Sequence, residues 1–398
     1  MQNLSTPCLR ADVAIRPFDA AEGDCRFLVA VDDRHFVVTA AVAAVLEESR
    51  CPTTLALLAH RASARLGVAV SPAQAGKLLN EQAPKVLFRS GGVCAPLHGP
   101  MQHRKLLATA ASLKPLLASA AKLFTVRAAV VLAALLVLMN LLAATSPQAN
   151  AVQSMTGLHT AIAAALTLVG IVIHELGHLA ACAKYGATHG GIGLGIYWCV
   201  PAFYAEVHGA WLLPRRARAV VDVGGIYFQC AYVIVLGAMY LASGAPFLLS
   251  AIVWTHLLML HTLNPVLKYD GYWLLSDLTG TPNLHRRVQA ITRQVLRAVC
   301  DRRLACLPQA RDLALLGAFT GAATAYFAYV IVLLGRNIGL VASEVTAAWT
   351  TSANTLSGVL RATGDSALLA LLAVMALGVS TLLARSLGAI IHGSAHDR

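Results

Sequence analysis

The sequence predicts a multi-pass α-helical membrane protein of about six transmembrane helices, carrying a small N-terminal α/β domain. Three observations lead there. Of the 398 residues, 57% are hydrophobic and 13% charged, where a soluble globular chain carries roughly 25% charged residues. Residues 1–125 are mixed in composition, but from about residue 126 long apolar stretches recur. Each is close to the ~20 residues that cross a bilayer as a helix. The basic residues, finally, are distributed in a way that a membrane topology explains.

The first ninety residues predict a cytoplasmic unit. The opening twenty hold Arg10, Asp12, Arg16 and Asp19 and no long apolar core, so no signal peptide is expected. "RFLVAVDDRHFVVTA" offers two short strands about a turn at Asp32-Asp33. Three short helices follow. The third opens at "SPAQAGKLL", with Ser71 as N-cap, Pro72 at the first helical position and Gln74 closing a capping box. "SGGVCAPLHGP" (90–100) is rich in glycine and proline and reads as a linker, and 91–125 as linker and juxtamembrane segment.

Spans are expected near 127–145, 159–182, 220–242, 246–266, 312–335 and 366–388. Residues 126–310 then form the core with its cytoplasmic loops, and 311–398 the C-terminal helices. With the N-terminus in the cytoplasm, the outer loops hold only Arg336 and Arg361 of the 31 lysines and arginines. That is the positive-inside bias. The net charge of +12 therefore reports orientation, and nucleic acid is not an expected partner. The lipid bilayer is. Nine cysteines show no CxxC pair or regular spacing, which argues against a disulfide framework and a cysteine zinc site.

Between the spans, "GGIGLGIYWCVPAFYAEV" (190–207) is β-leaning and glycine-rich, too broken for a helical span. Residues 281–307 predict a basic amphipathic helix, capped by Thr281 with Pro282 at its first position. Leu284, Val288, Ile291, Val295 and Val299 form its apolar stripe. It would lie on the anionic inner leaflet or pack on other protein.

Chemistry concentrates in "IVIHELGHLA" (171–180). His174 and His178, four apart on a helix, point the same way. This is the spacing for two imidazoles on one zinc ion, with Glu175 as the general base. Ionisable residues inside a span are a functional signal in themselves. A catalytic zinc needs a third protein ligand. In "NPVLKYDGYWLLSD" (264–277), Asn264-Pro265 breaks the fourth span near its inner end and Asp270 follows. Spans two and four run in the same direction, so His174, His178 and Asp270 come to one side of the membrane. Asp277 is the rival third ligand. Gln229 and Asn264 are candidates to bind substrate, by orienting a carbonyl or stabilising an oxyanion. Alternatively, Asn264 satisfies backbone freed by Pro265. His256 and His261 read as packing or supporting histidines. Asp222 reads as a boundary residue of span three, and Glu206 and His208 as loop residues.

HExxH in one span and an Asp-Gly after an Asn-Pro break in a later one resemble the site-2 type intramembrane zinc metalloproteases. "PAFYAEVHGAWLLPRRARA" and "NPVLKYDGYWLLSDLTGTPNL" are similar to one subgroup, the peptide zinc metalloproteases of bacterial peptide-maturation clusters. The likeness spans roughly 120–300 well and the last two spans loosely. It implies His174, His178 and Asp270 as zinc ligands and Glu175 as catalytic base. "YDG" stands where many relatives have Leu-Asp-Gly, and Gln229 where many have Asn. Residues 24–90 are similar to leader-peptide recognition domains, a winged-helix-like unit that binds a leader as an added strand. Together these imply a peptidase of the bacterial cytoplasmic membrane acting on a ribosomally made precursor peptide. Proteolysis of a membrane-anchored signalling protein, and non-hydrolytic transport of a peptide or ion, are the alternatives.

Overall fold

The structure, a computed structural model, describes residues 7–20, 25–31, 34–88, 101–146, 157–197, 200–302, 305 and 307–351. It is mostly helical. The chain divides into two compact units, 1–124 with 175–224 and 277–282, and 125–174 with 225–276 and 283–398.

In the first unit, β1 (Ala14–Phe18), β2 (Arg26–Val31) and β3 (Arg34–Thr39) form an antiparallel sheet in that order. The two expected strands are β2 and β3; the Asp32-Asp33 turn lies outside the described residues. β1 escaped the sequence reading because Pro17 interrupts its pattern. Proline lacks an N–H and is tolerated on an edge strand, which is where β1 sits. Three helices pack on the sheet: α1 (Ala40–Glu48), α2 (Leu55–Leu66) and α3 (Pro72–Lys77). Thr39, Thr54 and Ser71 cap them through their side-chain oxygens. The Ser71–Gln74 capping box forms in both directions. Gly67 ends α2 at φ 66°, left-handed backbone that glycine adopts at little cost. Leu9, Val29, Val45, Leu46, Leu58 and Leu87 fill the core.

The same unit holds a second antiparallel sheet, β4 (Met101–Ala108), β5 (Ile192–Tyr197) and β6 (Val200–Ala205), in that order. The 190–207 segment does form strands; their pairing with β4 had no local signal. Arg104 bridges to Glu206 at 2.9 Å and lies over the Tyr204 ring. Trp211, in the turn that follows, sits 6.3 Å from both Phe18 and His35. α4 (Ala110–Ala120) leads toward the first apolar helix.

The long helices are α5 (Val126–Ala144), α6 (Gly157–Lys184), α7 (Arg215–Ser243), α8 (Pro246–Thr262), α9 (Asp270–Thr279), α10 (Leu284–Cys300) and α11 (Ala310–Thr351). Among the described residues, three helices (α5, α6 and α7) are long and apolar enough to cross a membrane, which marks a membrane protein. Apart from Arg127 at its start and Asn140, α5 is apolar on every side, and Val130, Val137 and Leu141 are about 60% exposed. A stable helix of that kind has an apolar surround. α8 has 17 residues, or roughly 26 Å of rise, because Pro265 stops it short of the expected residue 266. α11 runs without a break past 335, where the fifth span was expected to end. The expected sixth span lies outside the described residues.

In the second unit, Val233, Leu236, Tyr240, Leu248, Ala251 and Ile252 bury against one another. α10 turns its Leu284–Val288–Ile291 stripe onto Tyr272 and Leu315, so that stripe packs on protein. Its N-cap is not Thr281. Asn283 occupies that place in a left-handed conformation, φ 57°, without a side-chain cap bond. The helix starts later because its first buried residue is Leu284.

Candidate metal centre

α6 is a long apolar helix interrupted by polar groups on one face. His174 and His178 are 6% and 8% exposed. Buried imidazoles need hydrogen-bond partners, and α7 supplies one for each. His178 Nδ1 lies 2.7 Å from the Val221 carbonyl oxygen. His174 Nδ1 lies 3.0 Å from Oε1 of Gln229, itself 2% exposed. Both acceptors are oxygens, so each ring donates from Nδ1. That tautomer leaves Nε2 as the ring's lone-pair atom.

The approach of the helices depends on glycine. A Cβ on Gly224 would lie 2.8 Å from the Gly177 carbonyl oxygen. A Cβ on Gly225 would lie 2.5 Å from His174 Cε1. Gly225→Ala is therefore expected to push His174 from its place and weaken metal binding by about 10–100-fold, the range seen when ligand support is lost. Chelator competition on the purified chain measures it. Unchanged affinity would mean that the ring has room to move.

Asp270 opens α9, where its negative charge suits the helix N-terminus. Its position follows from the break after α8: Pro265 has no N–H to continue the helix, and Asn264 Oδ1 accepts from Val266 N at 2.9 Å. Gly271 is required next, because a Cβ there would meet the Leu263 carbonyl oxygen at 1.9 Å. Asp270 Oδ2 then stands 2.9 Å from His174 Nε2. The ligand atoms of His174, His178 and Asp270 lie within 4.8 Å of one another.

That donor set suits a small divalent cation. With both Nδ1 atoms donating to oxygens, the imidazoles offer lone pairs and the carboxylate is an acceptor. Buried acceptors facing one another at such distances repel unless a cation lies between them. Two imidazoles and a carboxylate within this span match the ligand types and bond lengths of zinc, about 2.0–2.2 Å each. Glu175, half-buried, is next to His174 on the same helix.

The remaining sequence candidates fall elsewhere. Asp277 is not in the group; Arg218 holds it at 2.8 Å. Burial pushes the Asp277 carboxyl up, opposed by the Arg218 charge. His256 lies 3.3 Å from Asn140 Nδ2, and His261 accepts or donates at Nδ1 to the Tyr326 hydroxyl, 2.8 Å away. Asn264 is 2% exposed, and its side chain hydrogen-bonds the Tyr326 hydroxyl. Sequence reasoning missed Val221 and Gly225. Only the adjacent glycines of "VGG" in an apolar helix hinted at close contact.

The fold and this group define a membrane protein with a His-His-Asp set, its imidazoles buried, able to hold a metal ion. Compared with curated proteins, the chain is similar to "Putative peptide zinc metalloprotease protein YydH" of Bacillus subtilis (strain 168). The two are 26% identical over 113 residues, covering 27% of this chain and 44% of that protein. The chain thus matches less than half the length of this relative. No family model matches the chain, and no solved structure does.

Proposed function

We propose that this chain is an intramembrane zinc metallopeptidase of the site-2 type, cleaving a ribosomally made precursor peptide. The observation that carries the reading is the His174–His178–Asp270 group, within 4.8 Å and beside Glu175. The name of the similar protein supports it.

In this reading His174, His178 and Asp270 hold zinc, each imidazole fixed through Nδ1 by Gln229 or Val221. A zinc ion held there would supply a water of near-neutral pKa and a Lewis acid for the scissile carbonyl. Glu175 takes a proton from the water as its oxygen attacks the scissile carbonyl carbon, then delivers it to the departing amine nitrogen as the C–N bond breaks. Asn264, at the break between α8 and α9, would turn its amide from the Tyr326 hydroxyl to donate to a substrate carbonyl. The substrate must be extended, since a helix shields its peptide bonds. The edge strand β6 offers the backbone groups for it to pair as an added strand. The β1–β2–β3 sheet holds the leader in the same manner, which raises the local concentration of the scissile segment. The protein sits in the bacterial cytoplasmic membrane with its N-terminus inside.

The test is purification in detergent, metal analysis, and incubation with the precursor peptide encoded nearby, products being read by mass spectrometry. One zinc per chain and a single new cleavage are expected. A metal-loaded chain that leaves the precursor intact, yet cuts a membrane-anchored signalling protein, would move the substrate assignment. One that cuts neither would end the peptidase reading.

A further inference from the structure

Arg218 is an arginine in the first turn of an apolar helix, and it is 4% exposed. A buried guanidinium is costly unless its donors and charge are met. Here they are met by three separate segments. Nε and Nη2 both lie 2.8 Å from Asp277 Oδ1. Nη1 donates to the Leu213 carbonyl at 2.9 Å, and Nη2 to the Asp19 carbonyl at 3.0 Å. The guanidinium plane stands 4.3 Å from the Phe18 ring centroid. Beside it, Asp19 Oδ2 accepts from the Arg215 backbone N–H at 2.8 Å, an acidic cap at the start of α7. Asp222 hydrogen-bonds the Asp277 carboxyl.

The cluster is bound to the metal-site histidines by helix geometry. Val221 is three residues beyond Arg218 on α7, and its carbonyl is the oxygen 2.7 Å from His178 Nδ1. Within one α-helix such positions move together, about 4.5 Å apart along the axis. What anchors Arg218 therefore sets where the Val221 oxygen stands, and that oxygen orients the His178 ring. Two of the anchors are Phe18, the last residue of β1, and Asp19, which follows it. An apolar side chain would pack the same space; the forked, charged one fixes direction as well.

We propose that Arg218 is a positioning residue, acting through Val221 on His178, that couples the docking of the N-terminal sheet to the geometry of the metal centre. The inference rests on the metal-centre reading above. Coupling of this kind is reciprocal. Metal binding tightens β1 on α7, and loosening β1 weakens the metal.

Cobalt(II) alone is the probe, added to the full-length chain in detergent, with Asp270→Ala as the control. Arg218→Lys keeps the charge beside Asp277 but loses the fork. It is expected to bind one cobalt with about 10–100-fold lower affinity, as when ligand support is lost, and with shifted visible absorption bands. Asp19→Ala, at an exposed residue, removes the carboxylate cap on the Arg215 N–H while keeping the backbone carbonyl that Arg218 uses; by loosening β1 from the start of α7 it should shift both readouts in the same direction by a smaller amount. Hydrogen exchange in β1 should slow on cobalt binding in the parent and not in Arg218→Lys. Parental affinity and spectrum in both variants would overturn the proposal, leaving Arg218 a purely structural clamp. If Arg218→Lys does not fold, Asp19→Ala decides alone. A parent chain that takes up no cobalt would instead strike down the metal-centre reading itself.

Discussion

Replacing Glu175 with glutamine is expected to lower the cleavage rate by about 10²–10⁴-fold, the usual contribution of a positioned acid–base group, and to leave the zinc content unchanged. Glutamine has the same shape and nearly the same helix propensity as glutamate, so α6 is not disturbed. Glu175 is outside the His174–His178–Asp270 group, so removing its charge takes no donor from the metal. What is lost is the carboxylate that accepts the water's proton and returns it to the leaving nitrogen. The comparison needs single-turnover rates and metal analysis on one preparation of each protein. A glutamine variant that cleaves as fast as the parent would show that the base lies elsewhere. One that loses zinc would show that Glu175 is a ligand.

Asp270→Ala should have the opposite pattern: the metal goes, and activity with it. The carboxylate is one of three donors, 2.9 Å from His174 Nε2. Two imidazoles alone hold zinc weakly, so affinity should drop by more than the ~100-fold seen on losing a supporting group. The variant also loses a negative charge at the start of α9, worth roughly 0.3–1 kcal/mol. Asp270→Asn separates the two effects. It keeps the size and hydrogen-bonding capacity of the side chain at the helix start, but offers a neutral, poorer donor. Both variants should come through dialysis against a mild chelator with little zinc, while the parent retains one ion per chain. Stoichiometric zinc in both would place the third ligand elsewhere, and Arg218 would then have to release Asp277 for that residue to serve.

Much of the candidate site was legible because its first half is local. Two histidines four apart in an apolar run share a helix face whatever surrounds them, and a glutamate beside them is placed by the same periodicity. Asp270 took one more step, through the Asn-Pro break and the basic residues that orient the spans. Beyond that, local pattern had little to offer. That Gln229 would hold His174, rather than face a substrate, depends on the approach of α7 to α6. Gly224 and Gly225 permit that approach, and no spacing within either helix specifies it. The pairing of β4 with β5 joins residues some ninety positions apart, with nothing in β4 beyond a mixed basic and apolar run. Arg218 sits in a basic run, "RRARA", whose local pattern does not separate it from its neighbouring arginines; its burial comes with Phe18, Asp19 and Asp277, all distant in sequence.

By itself, then, the sequence determined the apolar helices, the imidazole spacing and the acidic residue that follows the fourth apolar segment. These follow from periodicity, proline chemistry and the cost of charge in an apolar medium, each acting over a few residues. Only the tertiary structure decided which atoms hold the histidines and what anchors the helix that presents them. Those choices depend on how closely backbones approach, and that is set by packing between segments far apart along the chain.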